Sequence, residues 1–146
     1  MRTLAVLGTV VLAIAACHEA PTSPGPAPSG LPATLRRTSS IGTPFAGPPI
    51  VAQGDSLVAS AELHYTGCLD YTAVAGTVGG AVVVTILEAP PRIPRACLAI
   101  LESAVFHVVV RPAPHGTYLV VLRERFEGAG DGPMEREWVR GSVTVP

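Results

Sequence analysis

The chain contains no lysine: all ten of its basic residues are arginine, against eleven aspartates and glutamates, for a formal net charge of −1. So neutral a chain offers no extended basic face, which excludes nucleic acid as the expected partner. After the first seventeen residues no apolar run approaches the roughly 18 to 20 residues that a membrane-spanning helix needs. The longest later runs, such as Ala104 to Val110, are of strand length. No segment there sustains the apolar period of about 3.6 residues that marks an amphipathic helix. The signatures of chemistry are missing as well. Ser56, Ser60, Ser103 and Ser142 are available, but none sits in Gly-x-Ser-x-Gly or another nucleophile turn. Of these, Ser103 beside Glu102 is the least implausible, and a strand edge or turn explains it better. His18, His64, His107 and His115 form no His-x-x-x-His pair and the cysteines no Cys-x-x-Cys. His64 does stand four residues before Cys68, but a zinc site needs more convergent ligands than that. The glycines from Gly76 to Gly80 join strand to strand, not strand to helix, so they are no phosphate loop. The expectation is a non-enzyme without metal or cofactor.

What is present begins with the leader. Arg2 supplies a short positive region, Leu4 to Ile14 an uncharged apolar run, and Ala15-Ala16 two small residues before Cys17. This is the three-part plan of a secretory signal, and its apolar run is too short to stay in a bilayer as a spanning helix. Ile14-Ala15-Ala16-Cys17 resembles the lipobox of bacterial lipoproteins. The resemblance implies removal of residues 1–16 and lipidation of Cys17, with the membrane as a partner through that lipid. His18 after the lipidated cysteine, where some bacterial lipoproteins carry Asp, implies outer-membrane delivery in the cell envelope. Three cysteines leave one over in an oxidising compartment. If Cys17 is consumed by lipid, Cys68 and Cys97 can pair, a bridge worth roughly 3 to 4 kcal/mol on the loop-entropy model. Two reduced buried thiols are the alternative.

From His18 to Pro49 the composition shifts to proline and glycine, with Pro21, Pro24, Pro26, Pro28, Pro32, Pro44, Pro48 and Pro49. Proline fixes φ and removes donors, so residues 17–49 read as the lipidated cysteine followed by a disordered or polyproline-like spacer. Fully extended it could reach roughly 100 Å. Within it Arg36-Arg37 reads as a solvated turn, with contact to anionic lipid as the sharper alternative. Ile41 to Phe45 and Ile50-Val51 are where the spacer can begin to dock.

Residues 50–146 read as the folded domain. Leu57, Ala59, Ala61, Leu63 and Tyr65 alternate with Val58, Ser60, Glu62 and His64, the period-two pattern of a strand with one buried face. Tyr71 to Thr77 and the β-branched run Ala81 to Glu88 flank Gly79-Gly80, a hairpin signal. Pro90, Pro91 and Pro94 make a connection. Cys97 to Glu102 is ambiguous between strand and helical turn and leans to strand. Val105 to Arg111, Thr117 to Phe126 and Glu135 to Val145 complete about seven strands, with Gly141 expected as a bulge. The pattern is an all-β antiparallel sandwich.

Gly116-Thr117-Tyr118-Leu119-Val120-Val121 resembles the Gly-x-Tyr-x-Val pattern of bacterial immunoglobulin-like domains, in which the tyrosine hydroxyl ties back to upstream backbone. That resemblance implies an interaction or structural module with a protein or glycan partner in the envelope. Inhibition of a secreted protease through the proline-rich loop Ala89 to Ala96 is the alternative, and an uncharacterised envelope enzyme is a more distant one. The acids Glu124, Glu127, Asp131, Glu135 and Glu137 interleave with Arg123, Arg125, Arg136 and Arg140 as cross-strand ion pairs on a solvated face. The sharper expectation there is a recognition patch of Trp138, Arg123, Arg125 and Arg136.

Overall fold

The computed structural model describes residues 29–39, 44–93, 96, 102–128 and 133–146. The leader, Cys17, Asp131 and residues 97–101, which hold Cys97 and all but the last residue of the Cys97 to Glu102 segment expected as a strand, lie outside these, so the lipidation site, the start of the spacer, that strand and one cysteine of the expected bridge belong to sequence alone. Among the described residues there are nine strands and no helix. They are β1 (Ser29–Leu31), β2 (Ala33–Ser39), β3 (Ile50–Gln53), β4 (Ser56–Tyr65), β5 (Asp70–Val78), β6 (Ala81–Ala89), β7 (Glu102–Val110), β8 (Gly116–Phe126) and β9 (Met134–Val145). Two sheets form a sandwich, one in the order β1-β5-β6-β8-β9 and the other β2-β7-β4-β3.

Period-two alternation builds the core from both sheets. Leu57, Ala59, Ala61 and Leu63 of β4 and Ala104, Phe106, Val108 and Val110 of β7 meet Val82, Val84 and Ile86 of β6 and Val120 and Leu122 of β8. The β5–β6 hairpin closes at Gly79 and Gly80, with φ of 57° and 81°, values that only glycine adopts without strain.

The all-β architecture expected from the alternation is present, but the strand count is nine among the described residues instead of about seven. The pairing is also not wholly antiparallel. β6 and β8 lie parallel, with Val84 opposite Leu122 and Ile86 opposite Glu124. The chain leaves one sheet after β6, runs through β7 in the other, and returns as β8, so direction is conserved where a hairpin would have reversed it.

Two of the additional strands occupy the segment read as spacer, so at least residues 29–39 belong to the sandwich. β1 and β2 are outer strands of their sheets, where proline's missing donor is tolerated. Pro32 sits between them, at the step from one sheet to the other, and its carbonyl accepts the Arg111 amide at 3.1 Å. Leu31, Ala33 and Leu35 alternate inward along this segment. Arg36 and Arg37 are thus strand residues, not a turn. The third addition, β3, starts at Ile50, where docking was expected. Just before it, Phe45 N–H donates to Glu62 Oε2 at 3.1 Å and Ser60 N–H to the Pro49 carbonyl at 2.7 Å, strapping residues 45–49 across the outer face of β4.

The bulge in β9 is not at Gly141. The register slips opposite Leu122 and Arg123, which face Val139 and Glu137, leaving Trp138 as the extra residue. Gly141 pairs in register with Val120.

Candidate functional site

The two ends of the sandwich differ in chemistry. One carries the tight turns at Gly54 and at Gly79-Gly80. The other gathers the end of β4, the start of β5, the ends of β6 and β8 and the start of β9, and there the inward-facing rows stop being aliphatic.

On one side of that end, Tyr65, Tyr71 and Phe106 form an aromatic cluster with ring centroids 5.0 to 6.4 Å apart. The Arg37 guanidinium lies 3.7 Å from the centre of the Tyr65 ring, a cation–π contact. With Leu35, Leu69 and Asp70 these residues line a cavity of about 410 Å³. The Tyr71 hydroxyl accepts the Thr66 amide at 3.2 Å, which fixes the turn leading to Cys68. Burial first, and the nearby Glu88 carboxyl after it, push the Tyr71 phenol above its ordinary range, so it stays neutral and able to donate.

On the other side, Glu88 continues the inward row Val82, Val84, Ile86 of β6, and Glu124 continues Val120 and Leu122 of β8. Glu88 is the direct cross-strand partner of Tyr71, so the aromatic and acidic halves adjoin. The Glu124 carboxyl lies near enough to Glu88 to disfavour its ionised form. Burial, then the contact with Glu124, pushes Glu88 up to about 8. Glu88 Oε1 is buried without a hydrogen-bond partner. Glu124 Oε2 accepts the Trp138 indole N–H at 2.7 Å, and the Arg136 guanidinium lies 4.0 Å from the Trp138 ring centre. Glu88, Glu124, Phe126, Met134, Glu135 and Arg136 line a cavity of about 500 Å³.

The expected recognition patch is divided by the pleat. Trp138 and Arg136 face this end, the indole turned toward Glu124 by the bulge. Arg123 and Arg125 alternate with Glu124 and so lie on the outer face, in loose ion pairs with Glu135 at 3.7 and 3.9 Å; Arg125 also approaches Glu127 at 3.6 Å. Arg140 and Glu137 form a bidentate pair at 2.7 and 2.8 Å.

Glu88 was not among the sequence candidates. Its signal was an acid in phase with three buried β-branched residues, legible as an inward charge once β6 is accepted. Ser103 stands opposite His64 in the β4–β7 register, but the serine hydrogen-bonded to a histidine is Ser60. Ser60 Oγ lies 2.8 Å from His107 Nδ1, its cross-strand partner, while Ser103 Oγ donates to Glu62 Oε1 at 2.8 Å. Ser60 is buried beneath the 45–49 strap, so this network anchors the strap. His64 is exposed, as the alternation implied. Among the described residues no three His, Cys, Asp or Glu side chains converge as metal ligands. Cys68 is disulfide-bonded, and no second cysteine lies within the described residues.

No protein-family model matches the chain, and no curated protein or solved structure matches it either.

Proposed function

We propose that this is a lipid-anchored bacterial cell-envelope protein whose sandwich is a recognition module. Cys17 carries the lipid, a spacer shorter than the proline count implies follows it, and a Cys68–Cys97 bridge braces the domain. The partner is a protein or glycan of the envelope, met at the open end where Tyr65, Tyr71 and Phe106 adjoin Glu88, Glu124 and Trp138. That convergence of aromatic and charged side chains on one end carries the reading, because such groups dominate recognition surfaces. The chain path supports it. Ser29 pairs with Thr77, beside the Gly79-Gly80 turn, so the sandwich is entered at the end opposite the proposed site. A tether attached there leaves the site directed away from the lipid.

Kinship with immunoglobulin-like domains is part of the proposal. Its support is the Tyr118 hydroxyl, which donates to the His115 carbonyl at 2.7 Å as a tyrosine corner does. The parallel β6–β8 pair sets the strand order apart from that of antibody domains.

Two experiments divide the proposal. A Cys17→Ser variant, followed by metabolic labelling with a fatty-acid probe and membrane fractionation, should lose both label and membrane association. Retention of either contradicts the anchor. A photo-crosslinking amino acid placed at Arg37 or Arg136, in the cells that make the protein, should give discrete adducts, while the same group at Thr117, near the other end, should not. Absence of adducts, or equal yield from Thr117, contradicts the recognition site. Intact mass with and without reduction tests the bridge.

A further inference from the structure

A buried polar atom without a hydrogen-bond partner is uncommon in a folded chain, and this fold has one in a residue that lines a cavity. Glu88 is only 9% exposed, and its Oε1 has no hydrogen-bond partner. Around it the chemistry is acidic and apolar together. Glu124 supplies a second carboxyl, already half engaged by the Trp138 indole. Phe126 and Met134 supply hydrocarbon, with Met134 largely exposed. The space, about 500 Å³, lies within the range of sites that accept small organic groups.

We infer that this cavity binds an alkylammonium group, a primary amine cation on an apolar stem, with the Glu88 and Glu124 carboxyls as acceptors and Phe126 and Met134 along the stem. The inference deepens the recognition reading and rests on it for the origin of the ligand, which is either a lysine side chain of a polypeptide or a free alkyl amine. Competing chemistries fit less well. A divalent cation of the calcium type wants about six to eight oxygens, and two carboxyls beside hydrocarbon cannot supply them. A guanidinium is matched by both oxygens of one carboxylate, whereas Glu124 already has one oxygen taken by the Trp138 indole, which suits a compact point charge.

The groups facing the acid pair are Tyr71 from β5 and Arg136 and Glu135 from β9. Tyr71 is neutral, Arg136 lies against Trp138, and Glu135 is engaged by Arg123 and Arg125. With Glu88 pushed up to about 8, the pair holds a proton at neutral pH, and a bound ammonium displaces it. Affinity therefore rises with pH up to about 8 and levels off above it, falling by up to about tenfold per unit below.

The test is calorimetric titration of the full chain in detergent with Nα-acetyl-lysine methylamide, with cadaverine, and with Nα-acetyl-norleucine methylamide as the uncharged control. Saturable binding of an amine is expected at about pH 9, weakened at least tenfold at about pH 6, with no saturable binding of the norleucine amide. Tighter uptake of the lysine amide assigns a polypeptide partner; tighter uptake of cadaverine assigns a free amine. Glu88→Gln and Glu124→Gln, each checked for unchanged circular dichroism, should lose at least about tenfold in affinity, and Glu88→Gln the pH dependence as well. No saturable amine binding at about pH 9, equal binding of the norleucine amide, or wild-type affinity in both folded variants overturns the inference. Crosslinking from Arg136 in cells is an independent readout. Adducts without amine binding remove the alkylammonium inference alone, whereas amine binding without adducts removes the recognition reading.

Discussion

The folded chain holds the Glu88 carboxyl protonated up to about pH 8, while in an unfolded chain the same group ionises near 4.5. Between those values the native state binds the extra proton, so stability falls as pH rises through this window and is level above it. Removing the charge should remove the slope. Glu88→Gln is expected to be more stable than the wild type at about pH 9, by on the order of 2 kcal/mol, and to differ little at about pH 5. Urea denaturation at the two pH values checks this, and an equal difference at both would contradict it. Asp55 and Glu137 act in the opposite sense. Hydrogen bonds from Arg111 and Arg140 hold their carboxyls below the ordinary range, so what they contribute is present above the unfolded value and lost as pH falls through the lowered one. Phe106 is the residue on which the aromatic half depends, being 1% exposed and stacked against both Tyr65 and Tyr71. Phe106→Ala should cost about 3 to 5 kcal/mol in denaturant unfolding, because the two tyrosines cannot close the void.

At the scale of elements, β1 and β2 are the segment that composition misrepresents. Their prolines and glycines describe a spacer, yet β2 pairs along its whole length with β7, from Ala33 opposite Val110 to Ser39 opposite Ala104. Deleting residues through Ser39 should therefore lower stability by at least about 2 kcal/mol, a drop in Tm on the order of 10 °C, relative to a deletion through Pro28. Identical melting of the two truncations would restore the spacer reading of the whole segment. β4, β5, β6, β8 and β9 were legible because each carries its own alternation and its own turn residues. The Gly79-Gly80 hairpin was legible for the same reason. The parallel meeting of β6 with β8 was not, because it depends on a crossover through the other sheet that no local pattern encodes. The candidate site divides along the same line. Trp138 and Arg136 stood out by type, whereas Glu88 and Glu124 meet only when strands 36 residues apart are laid side by side, as the register of β6 against β8 does. The sequence pattern also grouped Arg123 and Arg125 with Trp138, where the pleat and the bulge place them on opposite faces.

For the molecule as a whole, the two ends differ in construction. The end entered at Ser29 is closed by tight turns, and its Tyr118–His115 bond holds the corner where β8 begins. At the far end, a cavity lies on each side of the Tyr71–Glu88 pair. Entry of the chain at one end and cavities of mixed aromatic, acidic and apolar lining at the other fit the proposed domain reaching outward from a surface, and the near-neutral overall charge would leave the proposed recognition to local groups instead of a long-range field. The desolvated acid pair is the feature on which this polarity turns. Its most direct measurement is a carbon-13 NMR titration of the Glu88 side-chain carboxyl in the full chain, with Glu88→Gln used for assignment. A midpoint near 8 is the expected result. A midpoint near 4.5, the ordinary value for a glutamate in water, would contradict it.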